Sequence, residues 1–288
     1  MPSTVKILYD QMIAALGVEG LEIPLTAVKI FQDGETIPDS VTAYQIKDLT
    51  LTACQSCRQA ALGDPVCLTR ENIGCVAAAI SLGLVSAQDS NPLGGARVYT
   101  EIMRRHSEEG EVFKPPSPRD FTEGIVYACQ AAGRIDYSLF GREDSGRYQD
   151  VQTAKKAVEA MAAITPSLTR AVFLYPVDFE DQNFLPDVLI LSVRPVELTR
   201  LIQAHQYLTG QPTGAAMGAL RVVCSDLIAR PFITGQINVA TYCLGARLIA
   251  KFEAERLGLG IPWKIFEELV DGLKRSQTGY PFHLYPGV

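Results

Sequence analysis

Cysteines are the residues of this chain whose type and spacing could do chemistry. Four of the seven lie in one stretch, Leu51 to Gly83, and two more lie in a second stretch that reads much the same way. Cys57 and Cys75 are 18 residues apart in the first, and Cys224 and Cys243 are 19 residues apart in the second. In each pair the second cysteine precedes a run of small residues. We therefore expect the two stretches to be related halves whose cysteines meet at one site.

The chemistry open to such a site depends on which cysteines are only packing groups. Free cysteine is often buried as a small hydrophobe, and this explains Cys67, in a predicted strand, and Cys129, in an alanine-rich predicted helix. For the other five, burial and chemistry both stay open.

All-thiolate metal ligation is the first hypothesis. The three histidines, His106, His205 and His283, lie far from the cysteines in sequence. Thiolates alone suit an iron–sulfur cluster or zinc. Because the spacing is not that of a compact ferredoxin run, the ligands would come from distant segments. We expect a [4Fe–4S] cluster, or zinc as the alternative, on the set Cys54 or Cys57, Cys75, Cys224 and Cys243.

Two other readings of the same stretch remain. Cys54 and Cys57 form a C-x-x-C, which alone is weak evidence for thiol–disulfide exchange, and the surroundings typical of such motifs are absent. The other reading is a metal-free regulatory or binding protein whose thiol-lined cleft holds a small anion. Arg247, one helical turn after Cys243, could bind a carboxylate or phosphate, with Asn238 lining the same pocket. An ordinary surface ion pair of Arg247 with Glu253 or Glu255 is equally compatible with the sequence.

The elements that must position these residues follow from hydrophobic periodicity and turn signals. The prediction places Cys75 and Cys243 at the starts of helices, where unpaired backbone N–H groups favour a thiolate. It extends the second of these helices to about Arg256 and makes 258–262 a turn. The other predicted elements are helices over 4–16, 54–62, 195–208 and 263–274, and strands over 27–31, 66–69, 170–176, 186–193 and 237–241.

The fold class predicted from this pattern is α/β or α+β, a mixed sheet with helices packed on it. We expect a single domain, 1–288, built of two half-repeats (about 20–115 and 165–262) around a pseudo-two-fold axis, with a helical linker over 117–164. The strands at 27–31 and 188–193 would be equivalent. The sheet could be continuous across both halves or split.

Composition narrows the function classes. The chain has 288 residues, 47% apolar and 20% charged, with a net charge of −6. Its basic residues are scattered, which disfavours nucleic-acid binding. No apolar run is long enough to span a bilayer, and no signal peptide is evident, so we expect a cytoplasmic protein. A homo-oligomer is left open, as is whether the protein is an enzyme.

The scattered pattern as a whole resembles the uncharacterised prokaryotic family known as domain of unknown function 169, the ArCR group. The resemblance implies a soluble α/β protein and names no reaction. Cys54 is an addition beside the family pattern, which leaves open whether Cys54 or Cys57 is the functional thiol. The matching positions are 27–31, Cys57, Ala60, Gly63, Cys75, Gly83, 186–190, Pro195, Cys224, Gly235, Cys243, Gly245, Arg247 and 260–262.

Overall fold

A continuous six-stranded sheet forms the centre of the protein. The computed structural model describes residues 3–46, 51–85, 156, 160–165, 168–179, 184–218 and 221–276. The strands, in chain order, are β1 (Thr26–Gln32), β2 (Val66–Leu68), β3 (Thr169–Pro176), β4 (Val188–Val193), β5 (Asn238–Thr241) and β6 (Leu257–Pro262). Their spatial order is β2-β3-β1-β4-β6-β5.

Every neighbouring pair of strands in this sheet is antiparallel. The α/β or α+β class, with helices packed on a sheet, is confirmed, but the pairing is uniformly antiparallel where a mixed sheet was expected. At the centre Thr26 lies opposite Ile190 and Val28 opposite Val188. Outside the sheet, a single parallel bridge joins Leu51 to Ile73.

Helices cover both faces of the sheet. They are α1 (Thr4–Leu16), α2 (Asp39–Thr42), α3 (Ala53–Ala61), α4 (Val76–Ser81), α5 (Pro195–Thr209), a π-helix (Val222–Ala229), α6 (Arg230–Thr234), α7 (Leu244–Leu248) and α8 (Trp263–Arg275). The core on one face joins α1, α5 and α8 to strand residues such as Phe173 and Leu189. The core on the other face joins α3, α4, the π-helix and α7 to residues such as Val28 and Leu174. All the described cysteines except Cys67 belong to this second face.

From one edge to the centre the strands are β2, β3 and β1, and from the other edge they are β5, β6 and β4. The two orders are the same if β1, β2 and β3 correspond to β4, β5 and β6. The equivalent strands β1 and β4 then form the central antiparallel pair, as a two-fold axis between them requires. This order groups β3 with β1 and β2, although β3 begins only at Thr169. The predicted division at 165 and the single-domain assignment stay predictions, and most of the expected linker over 117–164 lies outside the described residues.

Two local predictions in the second half are wrong. Residues 257–262 are not a turn but β6, which pairs with both β4 and β5. A Cβ on Gly260 would lie 2.4 Å from the Leu227 carbonyl oxygen of the π-helix, so glycine here marks close packing of backbone on backbone. The helix after Cys243 ends at Leu248 rather than near Arg256, and the chain turns at Lys251, which has φ 61°.

No helix among the described residues has the length and the apolar character that crossing a membrane requires.

Candidate functional site

α3 carries two cysteines, Cys54 and Cys57, about one helical turn apart. A capping box fixes its start, because the Thr52 hydroxyl accepts from the Gln55 N–H at 3.2 Å and the Gln55 side chain accepts from the Thr52 N–H at 3.0 Å. Cys57 faces the sheet, where its thiol donates to the Thr26 hydroxyl at 3.6 Å. Burial raises the pKa of the Cys57 thiol to about 12. Cys54, three residues earlier, is partly exposed.

Cys75 and Cys243 occupy equivalent positions in the two halves. Each is the N-cap residue of a short helix, α4 and α7 respectively, as the sequence predicted. The Cys243 carbonyl accepts the first helical hydrogen bond of α7, from the Arg247 N–H at 3.0 Å. A Cβ on Gly245 would lie 4.0 Å from the Cys243 sulfur, so the small residues after the cysteine leave space beside the thiol.

Cys224 lies in the π-helix, all eight residues of which are buried. The residue before this helix, Arg221, has φ 65°, an uncommon conformation for a residue with a side chain. The Cys224 thiol donates to the Arg221 carbonyl at 3.4 Å. π-helical turns are rare and are frequent at functional sites.

Four cysteines from four different elements pack in or against the same apolar core. Burial raises the pKa of the Cys54 thiol well above its usual range, and the neighbouring thiols Cys243, Cys75 and Cys224 raise it further, in that order. Burial likewise raises the pKa of Cys224, followed by Cys75 and Cys243. We call Cys54, Cys75, Cys224 and Cys243 the thiol site. It contains two cysteines from each half and includes Cys54 rather than Cys57.

The surroundings of the thiol site are apolar. Cys224 and Cys243 belong to the buried core of this face, and Cys54 and Cys75 pack against it. The Ser81 hydroxyl lies close enough to Cys224 to lower its pKa slightly. It nevertheless makes no hydrogen bond of normal geometry with any described residue, although it is fully buried. We regard it as a neighbour of the thiol rather than a hydrogen-bonded partner.

The thiol site is not closed around a single ion. Among the described residues, no group of three or more His, Cys, Asp or Glu side chains is arranged to hold a metal ion. The six cysteines in the described part of the chain are all free of disulfides. Cys67 is buried in β2, where burial raises its pKa to about 12, as expected for a packing residue. Cys129 lies outside the described residues.

Arg247 and Asn238 contact the protein's own backbone. The Arg247 guanidinium donates to the carbonyls of Tyr242 at 3.2 Å and of Glu253, and its charge lies 5.9 Å from the Tyr242 ring centroid. The buried Asn238 side chain donates to Ala216 and Asp226 carbonyls, both at 3.0 Å, and accepts from the Ala216 N–H. These contacts stabilise the loops around α7 and the π-helix. That either residue binds a ligand stays a prediction.

Sequence reasoning left open whether Cys54 or Cys57 belongs to the site, and it missed Ser81. Helical periodicity does not separate the two cysteines, because residues three apart are neighbours on the same side of a helix. Ser81 carried no signal, because a single serine in a run of small residues fits ordinary packing equally well.

The profile of the family described as uncharacterised ArCR, domain of unknown function 169, matches residues 18–272. The chain belongs to this family.

A curated relative is the uncharacterised protein MJ0308 of Methanocaldococcus jannaschii. It is 26% identical over 129 residues, which cover 45% of this chain and 54% of the relative. The chain thus spans about half the length of the curated relative that it matches. No solved structure matches the chain.

Proposed function

We propose that the protein binds an iron–sulfur cluster of the [4Fe–4S] type through Cys54, Cys75, Cys224 and Cys243. The observation that carries the proposal is the meeting of four thiols, from four different elements, in one apolar region. Four cysteine thiolates are the usual ligands of such a cluster. When bound, the cluster would supply a redox centre, and we expect this function in the cytoplasm.

The electrostatics of the site support a bound cation. A thiolate at Cys75 or Cys243 would raise the pKa of both Cys54 and Cys224, so ionising those two thiols beside it needs positive charge in the site. A coordinated metal supplies that charge and keeps its thiol ligands deprotonated. Arg221 is the cationic side chain that lowers the pKa of Cys224.

Ser81 gives a second, independent reason. Its buried hydroxyl has no hydrogen-bond partner among the described residues, and such a group calls for an explanation. Hydrogen bonds to cluster sulfurs are among the features that set a cluster's reduction potential. A cluster at this site would give the Ser81 hydroxyl an acceptor.

The four thiols would have to turn to reach a common centre. Rotating a cysteine χ1 angle from one staggered well to another moves its sulfur by about 3 Å. The space beside Cys243 at Gly245 and the partial exposure of Cys54 and Cys75 are compatible with such rotations.

Metal and sulfide analysis of anaerobically purified protein tests the proposal. We expect a brown protein with about four iron and four sulfide per chain, as the cluster type requires. A colourless protein with neither element would refute the cluster. Zinc without iron or sulfide would mean that the four thiols bind a metal ion but not an iron–sulfur cluster.

Cys54→Ser and Cys57→Ser form the matched pair of variants. Both alter a thiol on α3, but only Cys54 belongs to the thiol site. Serine is a poor ligand for soft metals, so we expect Cys54→Ser to lose most of its iron and sulfide and Cys57→Ser to retain both. Equal loss in the two variants, with circular dichroism showing both folded, would mean that Cys54 is not a ligand.

A further inference from the structure

A cleft of about 780 Å³ opens where β1 and β6 end and β4 begins. Its size lies within the range of small-molecule sites, roughly 300–1,000 Å³. No cysteine is among the residues that line it, so it is separate from the thiol site.

Aromatic and proline side chains form much of the cleft wall. Proline fixes the backbone φ angle, and a wall with little freedom loses little entropy when a ligand binds. The aromatic side chains present faces that attract both apolar groups and cations. The aromatic members are Phe31, Phe184, Phe232 and Trp263, and the proline members are Pro38, Pro186, Pro231 and Pro262.

Around Lys29, the cleft contains more negative than positive charge. The Lys29 ammonium lies 3.3 Å from an Asp187 carboxylate oxygen and 3.6 Å from a Glu35 carboxylate oxygen. The other Asp187 oxygen accepts the Ile30 N–H at 2.7 Å, which fixes its position. Two carboxylates thus share one lysine, and the Lys29 side chain is only 14% exposed. A second cation placed there would balance the excess negative charge.

The opening of the cleft has the opposite character. Lys264, an exposed residue in the first turn of α8, lines it. That turn contains no acidic residue, and no side chain caps the helix. A carboxylate next to Lys264 would therefore meet positive charge.

We propose that this cleft binds a free α-amino acid with an apolar side chain. Its ammonium group would lie against Glu35 and Asp187, its carboxylate would lie against Lys264, and its side chain would pack on the aromatic and proline walls. A zwitterion of this kind offers an opposite charge to each of these groups and adds no net charge. The proposal is independent of whether metal binds at the thiol site.

Calorimetric titration with four probes tests the ligand class. L-Phenylalanine and L-leucine carry both charges, phenethylamine lacks the carboxylate, and 3-phenylpropionate lacks the amine. We expect L-phenylalanine to bind at least about tenfold more tightly than either single-charge analogue, the change that one charged contact can give. Phenethylamine or phenylpropionate binding as tightly as L-phenylalanine would overturn the zwitterion assignment. Absence of binding by both amino acids at millimolar concentration would overturn the site.

Variants that remove a surface charge identify which charged side chains contact the ligand. Lys264→Ala should weaken L-phenylalanine about tenfold and leave phenethylamine unchanged, because only the amino acid has a carboxylate to lose its partner. Glu35→Gln should weaken L-phenylalanine and phenethylamine alike. Lys274→Ala, at the far end of α8, is the matched control and should change neither. If Lys264→Ala and Glu35→Gln both bind L-phenylalanine as the wild type does, the proposed contacts are wrong.

Discussion

Cys57 and Cys67 are thiols that the fold holds in the protonated form. Burial raises the pKa of each to about 12, from an ordinary value of 9.0. The folded protein therefore binds more protons than the unfolded chain between these two values. Stability from these groups is fully present below about pH 9 and is lost as the pH rises toward 12.

We expect the free energy of unfolding of the metal-free protein to fall steadily over pH 9 to 12. Part of that fall comes from Cys54 and Cys224 and from the tyrosines Tyr9, Tyr175 and Tyr242, whose pKa values burial also raises. The double variant Cys57→Ala/Cys67→Ala isolates the contribution of the two substituted thiols. Urea titrations at several pH values should give a shallower pH slope for the variant than for the wild type. Identical slopes would mean that the two thiols ionise in the fold as easily as in the unfolded chain.

At the residue level, the sequence indicated the kind of side chain better than its orientation. Cys75 and Cys243 were correctly placed at helix starts, because a cysteine before small residues is a local signal. The role of Arg247 could not be foreseen. Its guanidinium binds carbonyls of Tyr242 and Glu253, and those carbonyls are available only because the chain turns back at Lys251 after a short α7. Partners of this kind arise only in the tertiary structure, so the spacing of residues in the sequence does not indicate them.

The position of the π-helix depends closely on the neighbouring strand β6. It packs directly against β6, where a Cβ on Gly260 would come within 2.4 Å of the Leu227 carbonyl oxygen and 2.8 Å of Pro231. Leu227 is three residues after Cys224, so pushing this backbone away also moves a thiol of the proposed metal site. The position of Cys224 therefore depends on glycine in the neighbouring strand.

Gly260→Ala should both destabilise the protein and empty the thiol site. Inserting a methyl group into close packing costs about 1–3 kcal/mol. Gly272→Ala is a matched control, because its Cβ would meet the Ala204 carbonyl at 2.7 Å between α8 and α5, on the other face of the sheet. Thermal melts should show a loss of stability in both variants, whereas iron analysis should show a loss of metal only in Gly260→Ala. Full iron content in a destabilised Gly260→Ala would show that Cys224 tolerates the displacement.

The same contact explains why β6 was misread from the sequence. Gly258 and Gly260 on either side of Leu259, followed by Pro262, read locally as a turn. The two glycines leave room for the π-helix, which precedes them in the chain and packs against them only in the folded protein. By contrast, α1 has the predicted bounds Thr4–Leu16, because its apolar periodicity and its caps, Ser3 and Gly17, are all local.

At the scale of the whole molecule, the strand order β2-β3-β1-β4-β6-β5 supplies a symmetry that spacing only suggested. The equivalence of β1 and β4 is a prediction from their positions before the cysteine stretches, and this order is compatible with it. The place of β3 could not be predicted, because about 100 residues separate Leu68 from Thr169 and nothing local says which strand a returning segment will join. The strongest electrostatic effects between thiols follow the same two-fold arrangement. Cys243 is the thiol that most raises the pKa of Cys54, and Cys75 is the one that most raises the pKa of Cys224.

Equivalent positions should respond alike, and this gives a prediction for Cys75→Ser and Cys243→Ser. Each removes a thiolate from the N-cap of a short helix at the same centre, in opposite halves. Both variants should lose most of their iron and sulfide and melt at a lower temperature than the loaded wild type, because a ligand bound to the folded state stabilises it. The losses should be similar in size, and the metal-free forms should differ little from the metal-free wild type.

Cys67→Ser is the control for this pair, because it alters a buried cysteine on the opposite face of the sheet. It should keep its metal while losing some stability, since a buried hydroxyl needs a hydrogen-bond partner. Cys129→Ser should also keep its metal. If Cys75→Ser and Cys243→Ser both retain full iron and wild-type melting temperatures, the thiols do not form one metal centre. If only one of them loses iron, the centre belongs to one half, and the two-fold relation describes the sheet but not the site.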